Sequence, residues 1–520
     1  MASASTVTRD RPRIAALVLN SVSHDARVLK EADSLAEAGY EVHIFGILDN
    51  RSTEPLTRRA SGVTIRRVDL NNALLWRRYR SRSWVALCAA SMLVFFSLAT
   101  WFTPLPSVLN GWSVSIEEMM GMGLLPLVAG IGAFILAARF LIIHRKLHFA
   151  ASLKRGDTSI PNRAPRTRTG WLQGLGGSVG GFLSIAKAWA QFLKFRVVSQ
   201  LFCSELDQLM PDAVHCHDLP MLPIGAKWCK ANPNALLVFD SHELYEEVSQ
   251  MSSFMRRVWQ SVLRRNAPHV DAFITVNDSI AQEHAKRYPA LVPAVVVKNA
   301  TIVTGEPLVR TRLLRNAAEL GDDARVLLYQ GGFARHRGLE LLIKAAADLP
   351  EPWVLVMMGW GNIEGDLKAL AARLDPHGRR IRFIPPAPHA DLKAWTSGGD
   401  LGVIPYENTC LNHWYCSPNK LWEYPIAGVP MLVSPFPELK AVIEAHGVGE
   451  CLPEHLDGDG LRAVLTGIDD ARLATLRDAC AEYIANDHWD VYAKKLVAIY
   501  AGILPIGEVS DELAGVVTSA

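Results

Sequence analysis

Short apolar segments, each followed by a polar turn and a helically spaced stretch, recur along most of this 520-residue chain. The spacing predicts strands at Ile14–Leu19, Val42–Phe45, Ala213–His215, Leu236–Phe239 and Ala272–Val276. A second set follows at Val326–Tyr329, Trp353–Met358, Ile381–Ile384, Leu401–Ile404 and Met431–Val433. Strands that alternate with helices make parallel sheets covered on both faces. The fold class is therefore α/β, with two doubly wound Rossmann-like domains joined near Asn299–Arg315. Ligands of such sheets bind beyond the carboxyl ends of the strands, and two such edges can face one cleft. A helix near Val491–Tyr500 is expected to pack back across it.

Two apolar runs break this rhythm. Trp84 to Phe102 and Met122 to Ala138 carry no Asp, Glu, Lys or Arg, and apolar character resumes after Arg139 through Ile143. Each approaches the ~20 residues that span a hydrocarbon core, so a two-helix transmembrane hairpin inserted in the first domain is expected; buried helices are the alternative. Arg77, Arg78, Arg80 and Arg82 precede the first run, while Arg145, Lys146, Lys154 and Arg155 follow the second. The loop from Thr103 to Gly121 has neither Lys nor Arg. The positive-inside rule then puts both α/β domains on the cytoplasmic side of a multi-pass protein of the cell membrane. Arg163, Arg166 and Arg168 extend a basic connector suited to an anionic leaflet. The expected division is 1–83 and 147–300 for the first domain, 84–146 for the hairpin, 301–485 for the second domain, and 486–520 for the crossover helix and tail.

Charge excludes one class of partner. Lys and Arg total 54 against 52 for Asp and Glu, so no global basic field points to nucleic acid. Eight cysteines without a CxxC pair form neither a disulfide framework nor a zinc-knuckle spacing. Met1 to Arg13 is polar and basic, so no signal peptide is expected.

Chemistry concentrates after the strands of the second set. In Ser417-Pro418-Asn419-Lys420-Leu421-Trp422-Glu423-Tyr424, Ser417 suits an N-cap and Pro418 the first helical position. Free amides at that end, joined by the ammonium of Lys420, suit a phosphate-like anion. Glu423 lies four residues past Asn419, where a carboxylate can accept both hydroxyls of a ribose. Gly428 then stops the helix. A well-capped helix of an ordinary α/β domain is the plainer alternative. The loop Gln330-Gly331-Gly332-Phe333-Ala334-Arg335-His336-Arg337-Gly338 has glycines for close backbone approach and arginines for a diphosphate; a solvated basic loop remains open. Gly359-Trp360-Gly361 is weak evidence, and Pro385-Pro386-Ala387-Pro388 can offer backbone groups to a base edge.

In the first domain, His215-Cys216-His217-Asp218 and Asp240-Ser241-His242-Glu243 end two strands. No spacing specifies a third metal ligand, so contacts to a sugar or acceptor are expected and no metal is. The GxSxG run at Gly176–Gly180 lies in the Gly-containing connector and not on a strand-to-helix turn, so no nucleophile elbow is expected and a serine hydrolase is set aside.

Taken together, these motifs resemble the retaining glycosyltransferases of the GT-B fold, family four. The resemblance covers roughly Arg13 to Gly46 and Asp212 to Tyr500, and is carried by His24-Asp25-Ala26-Arg27, Gly39-Tyr40-Glu41-Val42, Asp240 to Tyr245, Gln330 to Gly338 and Ser417 to Gly428. It implies that Glu423 binds the nucleotide ribose, that Arg335, Arg337, Gly331, Gly332 and the Ser417–Lys420 helix start hold the diphosphate, and that His242 lies beside the transferred sugar. It also implies a nucleoside diphosphate sugar as donor, no cofactor, and a front-face course needing no dedicated base. Three positions depart from the pattern: Tyr415 stands where most members have a second Glu, Gly332 where many have Arg, and Asn20-Ser21-Val22-Ser23 replaces a glycine pair. The expected function is sugar transfer to a hydroxyl, with a lipid-linked glycan acceptor suggested by the hairpin. A sugar-nucleotide epimerase and an inactive membrane scaffold or regulator are the alternatives.

Overall fold

The computed structural model describes residues 11–23, 25–49, 54–70, 195–249, 251–303 and 309–506. The chain divides into two compact units, one made of Met1–Val68 with Phe202–Ala520 and the other of Asp69–Leu201. Of the second unit only residues 69–70 and 195–201 are described.

The first unit contains two sheets. Strands β1 (Arg13–Leu17), β2 (Glu41–Ile47), β3 (Leu56–Arg58), β4 (Thr64–Val68), β5 (Ala213–His217), β6 (Leu236–Ser241), β7 (Ala272–Thr275) and β8 (Ala294–Val296) lie in the order β3-β4-β2-β1-β5-β6-β7-β8. Every neighbouring pair is parallel except β3 with β4. Strands β9 (Arg325–Gly332), β10 (Trp353–Trp360), β11 (Ile381–Ile384), β12 (Leu401–Ile404), β13 (Met431–Val433) and β14 (Gly449–Cys451) form a second, all-parallel sheet, β11-β10-β9-β12-β13-β14. The α/β expectation of two parallel, doubly wound sheets holds.

Strand order dictates where each sheet opens. The chain moves outward from β1 to β2 and resumes on the other side at β5, so connections diverge between β1 and β5. They diverge likewise between β9 and β12. Helices leaving in opposite directions cannot cover the strand ends between them, and a crevice forms there.

The central strands are apolar because both faces are covered. Ile14, Ala15 and Leu17 of β1 and Val326, Leu327, Leu328 and Tyr329 of β9 have no solvent exposure. Helix α1 (Ala26–Glu37) begins where Asp25 Oδ1 accepts from Val28 N at 3.2 Å, and buries Val28, Ala32 and Leu35. The crossover helix Trp489–Ile503 returns to the first sheet: Tyr500 Oη meets His215 Nδ1 at 3.0 Å, and Tyr40 Oη donates to Leu504 O. Asp487, just before it, accepts from Trp422 Nε1 with one oxygen and from Lys298 Nζ and Tyr492 Oη with the other.

The multi-pass membrane expectation is corrected. Among the described residues no helix is long and apolar enough to cross a membrane. The described helices are short and spend their apolar faces on the sheets; Leu222–Ala231, for example, has ten residues and buries Leu222, Ile224 and Trp228. The two apolar runs that prompted the expectation, within 84–143, lie outside the described residues, as does the basic connector.

Candidate active site

The two crevices open onto one cavity of about 960 Å³. Asn20, Asp25, Arg27, His242 and Glu243 line it from the first sheet, and Gln330, Gly331, Arg337, Tyr406, Lys420 and Glu423 from the second. Its size is at the upper end of the ~300–1,000 Å³ typical of small-molecule sites.

On the second sheet, β9 carries Gln330 near its end, whose Nε2 donates to Glu423 Oε2 at 2.9 Å while Thr396 Oγ1 donates to its Oε1 at 2.7 Å. The glutamine thus has one orientation, and Glu423 is held at the rim of the cavity. Gly331 adopts φ +121°, and a Cβ there would lie 3.2 Å from Lys420 Nζ. The loop then turns through His336 at φ +66°. That reversal directs Arg337 inward over the ring of Tyr406, 5.0 Å from its centroid, and leaves Arg335 exposed. Arg335 does not line the cavity, contrary to expectation; His336 does. Gly332 is also exposed, with open space where a Cβ would stand, and does not line the cavity.

Tyr406 joins the cationic groups. Its hydroxyl accepts from Arg337 Nη1 and from Lys420 Nζ, the latter at 3.4 Å. Burial opposes the charge on Arg337, yet Tyr406 and Tyr329 hold its pKa above the usual value. Lys420 is buried, and burial lowers its pKa, partly offset by Tyr329. A dianion entering this space would replace the water that these cations lack.

The helical turn behind Lys420 differs in detail from the sequence reading. The regular helix is Lys420–Glu423, preceded by a turn in which Leu421 N donates to Pro418 O at 3.0 Å. Ser417 does not cap it. Instead Ser417 Oγ accepts from Asn277 Nδ2 at 2.8 Å, across the cavity. Asn277 caps the helix Asp278–Arg287 with its other side-chain atom, so its amide is already oriented when it meets Ser417. Asn419 is exposed and accepts from Asn299 Nδ2 at 2.7 Å.

Opposite these groups stands His242. Its Nε2 lies 2.8 Å from Asp240 Oδ2 and its Nδ1 3.6 Å from Asp218 Oδ2. Burial opposes protonation, but Asp218 and Asp240 outweigh it and raise the pKa to about 10. His242 is therefore an imidazolium facing the cavity. Below it, Arg27 pairs with Glu31 at 2.8 Å and with Asp240 at 3.0 Å. Burial alone would raise the pKa of Asp240; Arg27 and His242 hold it well below the usual carboxylate range.

Of the two polar strand ends, His242 and Glu243 line the cavity, while His215, His217 and Asp240 are buried beneath. Glu31, His215, His217 and Asp240 gather ligand-type atoms within 4.8 Å. The rings of His215 and His217 are stacked, 4.2 Å apart and 18° from parallel. Arg27 already supplies positive charge to this group, through Glu31 and Asp240.

Sequence reasoning missed Tyr406, Asn412 and Asn277. Tyr406 follows β12 immediately after Pro405, so inspecting that strand end would have found it. Asn412 donates to Glu243 Oε2 at 2.8 Å and accepts from Leu244 N at 3.0 Å, a pairing between distant segments that no local pattern encodes.

Comparison with known proteins supports the same class. Residues 324–467 match the family model described as Glycosyl transferases group 1, and residues 183–301 match Glycosyltransferase Family 4. A D-inositol 3-phosphate glycosyltransferase of Catenulispora acidiphila is 28% identical over 202 residues, covering 36% of this chain and 46% of that protein. The chain spans about half the length of the relatives it matches. A sucrose-phosphate synthase from Thermosynechococcus elongatus superposes with a TM-score of 0.61 at 13% identity, covering 95% of this chain and 99% of that one. HepE of Anabaena in complex with UDP-glucose gives 0.53 at 12% identity, covering 95% and 100%. The two segments that match glycosyltransferase family models contribute to opposite sides of the cavity, in a two-domain GT-B-like fold.

Proposed function

We propose that the chain transfers a sugar from a nucleoside diphosphate sugar to an acceptor hydroxyl with retention of configuration. One observation carries the reading: a single cavity unites a carboxylate oriented by Gln330, a buried Arg337–Tyr406–Lys420 cluster and, on its other wall, the His242 imidazolium. Glu423 would accept the ribose hydroxyls. Arg337, Lys420 and the amides that head the Pro418 turn would hold the diphosphate and stabilise its charge as the glycosidic bond breaks. His242 would donate to the sugar from the opposite wall.

Retention follows the resemblance of the motifs and suits a front-face course. The acceptor oxygen attacks the anomeric carbon on the face from which the diphosphate departs, and the acceptor proton passes to a departing phosphate oxygen. No side-chain base is then needed, and the cations named above meet the charge without a metal. Structural neighbours solved with UDP and UDP-glucose favour this donor class. The lipid-linked acceptor expected from the hairpin has no support among the described residues and is not part of the reading.

The test is release of nucleoside diphosphate from a panel of sugar donors, with and without acceptors. Acceptor-dependent release of nucleoside diphosphate with an α-linked product from an α-linked donor supports transfer with retention. Conversion of the donor to an isomeric sugar nucleotide would instead indicate an epimerase, and failure of the full chain to bind any nucleoside diphosphate would reject the reading.

A further inference from the structure

Most carboxylates of the cavity gather on its first-sheet side. Arg337 and Lys420 lie on the second-sheet side with Glu423, whereas Asp25, Asp49 and Glu243 line the first-sheet side together with Arg27 and His242. If the diphosphate occupies the cationic side, the acceptor must approach along the acidic one.

The described cations of the acidic side serve internal partners. Arg27 is held by Glu31, Asp240 and Val297 O, the last at 2.7 Å. Lys30 Nζ donates to Ala300 O at 2.5 Å and lies 4.4 Å from the Trp489 ring. Arg59 is paired with Asp33 at 2.6 Å, and Arg67 donates to Ser21 O, Glu54 O and Thr57 Oγ1. His242, the one imidazolium of this wall among the described residues, bonds Asp240 through Nε2, which leaves Nδ1, 3.6 Å from Asp218, for the donor sugar.

Helix α1 opens onto the same wall, and a bare helix N-terminus attracts anions. Here that end is occupied. Asp25 Oδ1 accepts from Val28 N and Oδ2 from Asn20 Nδ2, so a carboxylate already stands where an incoming phosphate would bind. Glu243 is also oriented in advance, because Asn412 reaches across to donate to its Oε2 at 2.8 Å. A carboxylate held this way accepts hydroxyls or an ammonium and repels phosphate.

We propose that the first-sheet wall selects an uncharged or amino-bearing polyol acceptor and rejects a phosphorylated one, with Glu243 accepting the acceptor's hydroxyls. The proposal rests on the glycosyltransferase reading above and adds the acceptor class. It also sets this chain apart from relatives whose names specify a phosphorylated acceptor.

The experiment uses the full chain with a donor it turns over. Acceptors are supplied as matched pairs: inositol, hexoses and hexosamines, each beside its monophosphate. Nucleoside diphosphate release gives kcat/KM for every member. The best acceptor should lack phosphate, and each monophosphate should fall at least about tenfold below its parent, as like-charge opposition requires. Glu243→Gln should narrow that ratio by raising the phosphorylated member, which a merely structural role would not do. A phosphorylated best acceptor, an unchanged ratio in Glu243→Gln, or no turnover above water with any pair would each overturn the proposal. Calorimetric binding of the nucleoside diphosphate, measured in parallel, separates these outcomes from failure of the donor-site reading, in which that binding would be missing.

Discussion

Gln330 and Glu423 are 93 positions apart in sequence, yet Gln330 Nε2 donates to Glu423 Oε2 at 2.9 Å across the mouth of the β9–β12 crevice. The amide is fixed in turn by Thr396, so the carboxylate is presented to a ligand in one orientation. An oriented acceptor loses little conformational freedom when it binds a diol.

Replacing Glu423 by Gln should therefore weaken nucleoside diphosphate binding about tenfold or more, since a neutral amide accepts hydroxyls less strongly than a carboxylate. Isothermal titration measures it. An unchanged dissociation constant would remove Glu423 from the ribose site.

The two loop arginines should separate sharply. Arg337 lines the cavity over Tyr406, so Arg337→Ala should lower kcat by ~10²-fold, as loss of an oriented charge stabiliser does. Arg335 is exposed outside the cavity, so Arg335→Ala should stay within about twofold of the parent rate. Equal losses in steady-state assays of the two variants would contradict the placement.

His242 gives a pH signature. Its folded-state pKa is raised from the usual 6.5 to about 10. A histidine raised on folding contributes stability that is complete below the unfolded value and is lost as pH climbs through the folded one. The thermal midpoint of the parent protein should accordingly fall more steeply than that of His242→Gln as pH rises from about 7 to 10. Asp218→Asn removes a neighbouring anion, so the alkaline limb of any activity that needs the imidazolium should move to lower pH. Superimposable profiles for parent and Asp218→Asn would show that Asp218 does not hold the charge.

Gly338 anchors the loop mechanically. It adopts φ +69°, and a Cβ would fall 1.6 Å from Pro405 O, next to Tyr406. Gly338→Ala combines backbone strain with a hard clash and should destabilise the fold by about 2 kcal/mol or more. Urea denaturation would detect this; a midpoint equal to the parent's would mean that the two loops move apart freely.

The central strands were legible because parallel strands buried on both faces must be apolar runs. Four other strands were not. β3 and β4 read Leu-Thr-Arg and Thr-Ile-Arg-Arg-Val, and β8 and β14 have three residues each, too short or too polar to show periodicity. The same division holds at the cavity. Lys420, Glu423 and Arg337 were visible because each belongs to a local pattern of loop or helix start. The choice of Arg337 over Arg335 depends on the left-handed backbone at His336, for which a histidine carries no clear signature. Asn412 and Asn277 act only after the two sheets meet. Ser417, which reads locally as a cap, was claimed by Asn277 because a preoriented amide stood across the cavity.

The crossover helix has a consequence for biogenesis. Leu496 and Tyr500 belong to the same hydrophobic cluster as Ile14, Val28 and Val42. In synthesis order, nearly the whole chain separates these partners, so the core beneath β1 stays incomplete while the second sheet is translated. Contacts of such long sequence separation form late and slowly. The second sheet shares that cluster through Val326, Leu328 and Met431, but its opposite face has a cluster of its own built from Leu327 to Leu473, so only one of its faces waits. Completion of the first-sheet wall is therefore expected to trail that of the second-sheet wall, so that the half made first becomes the half finished last.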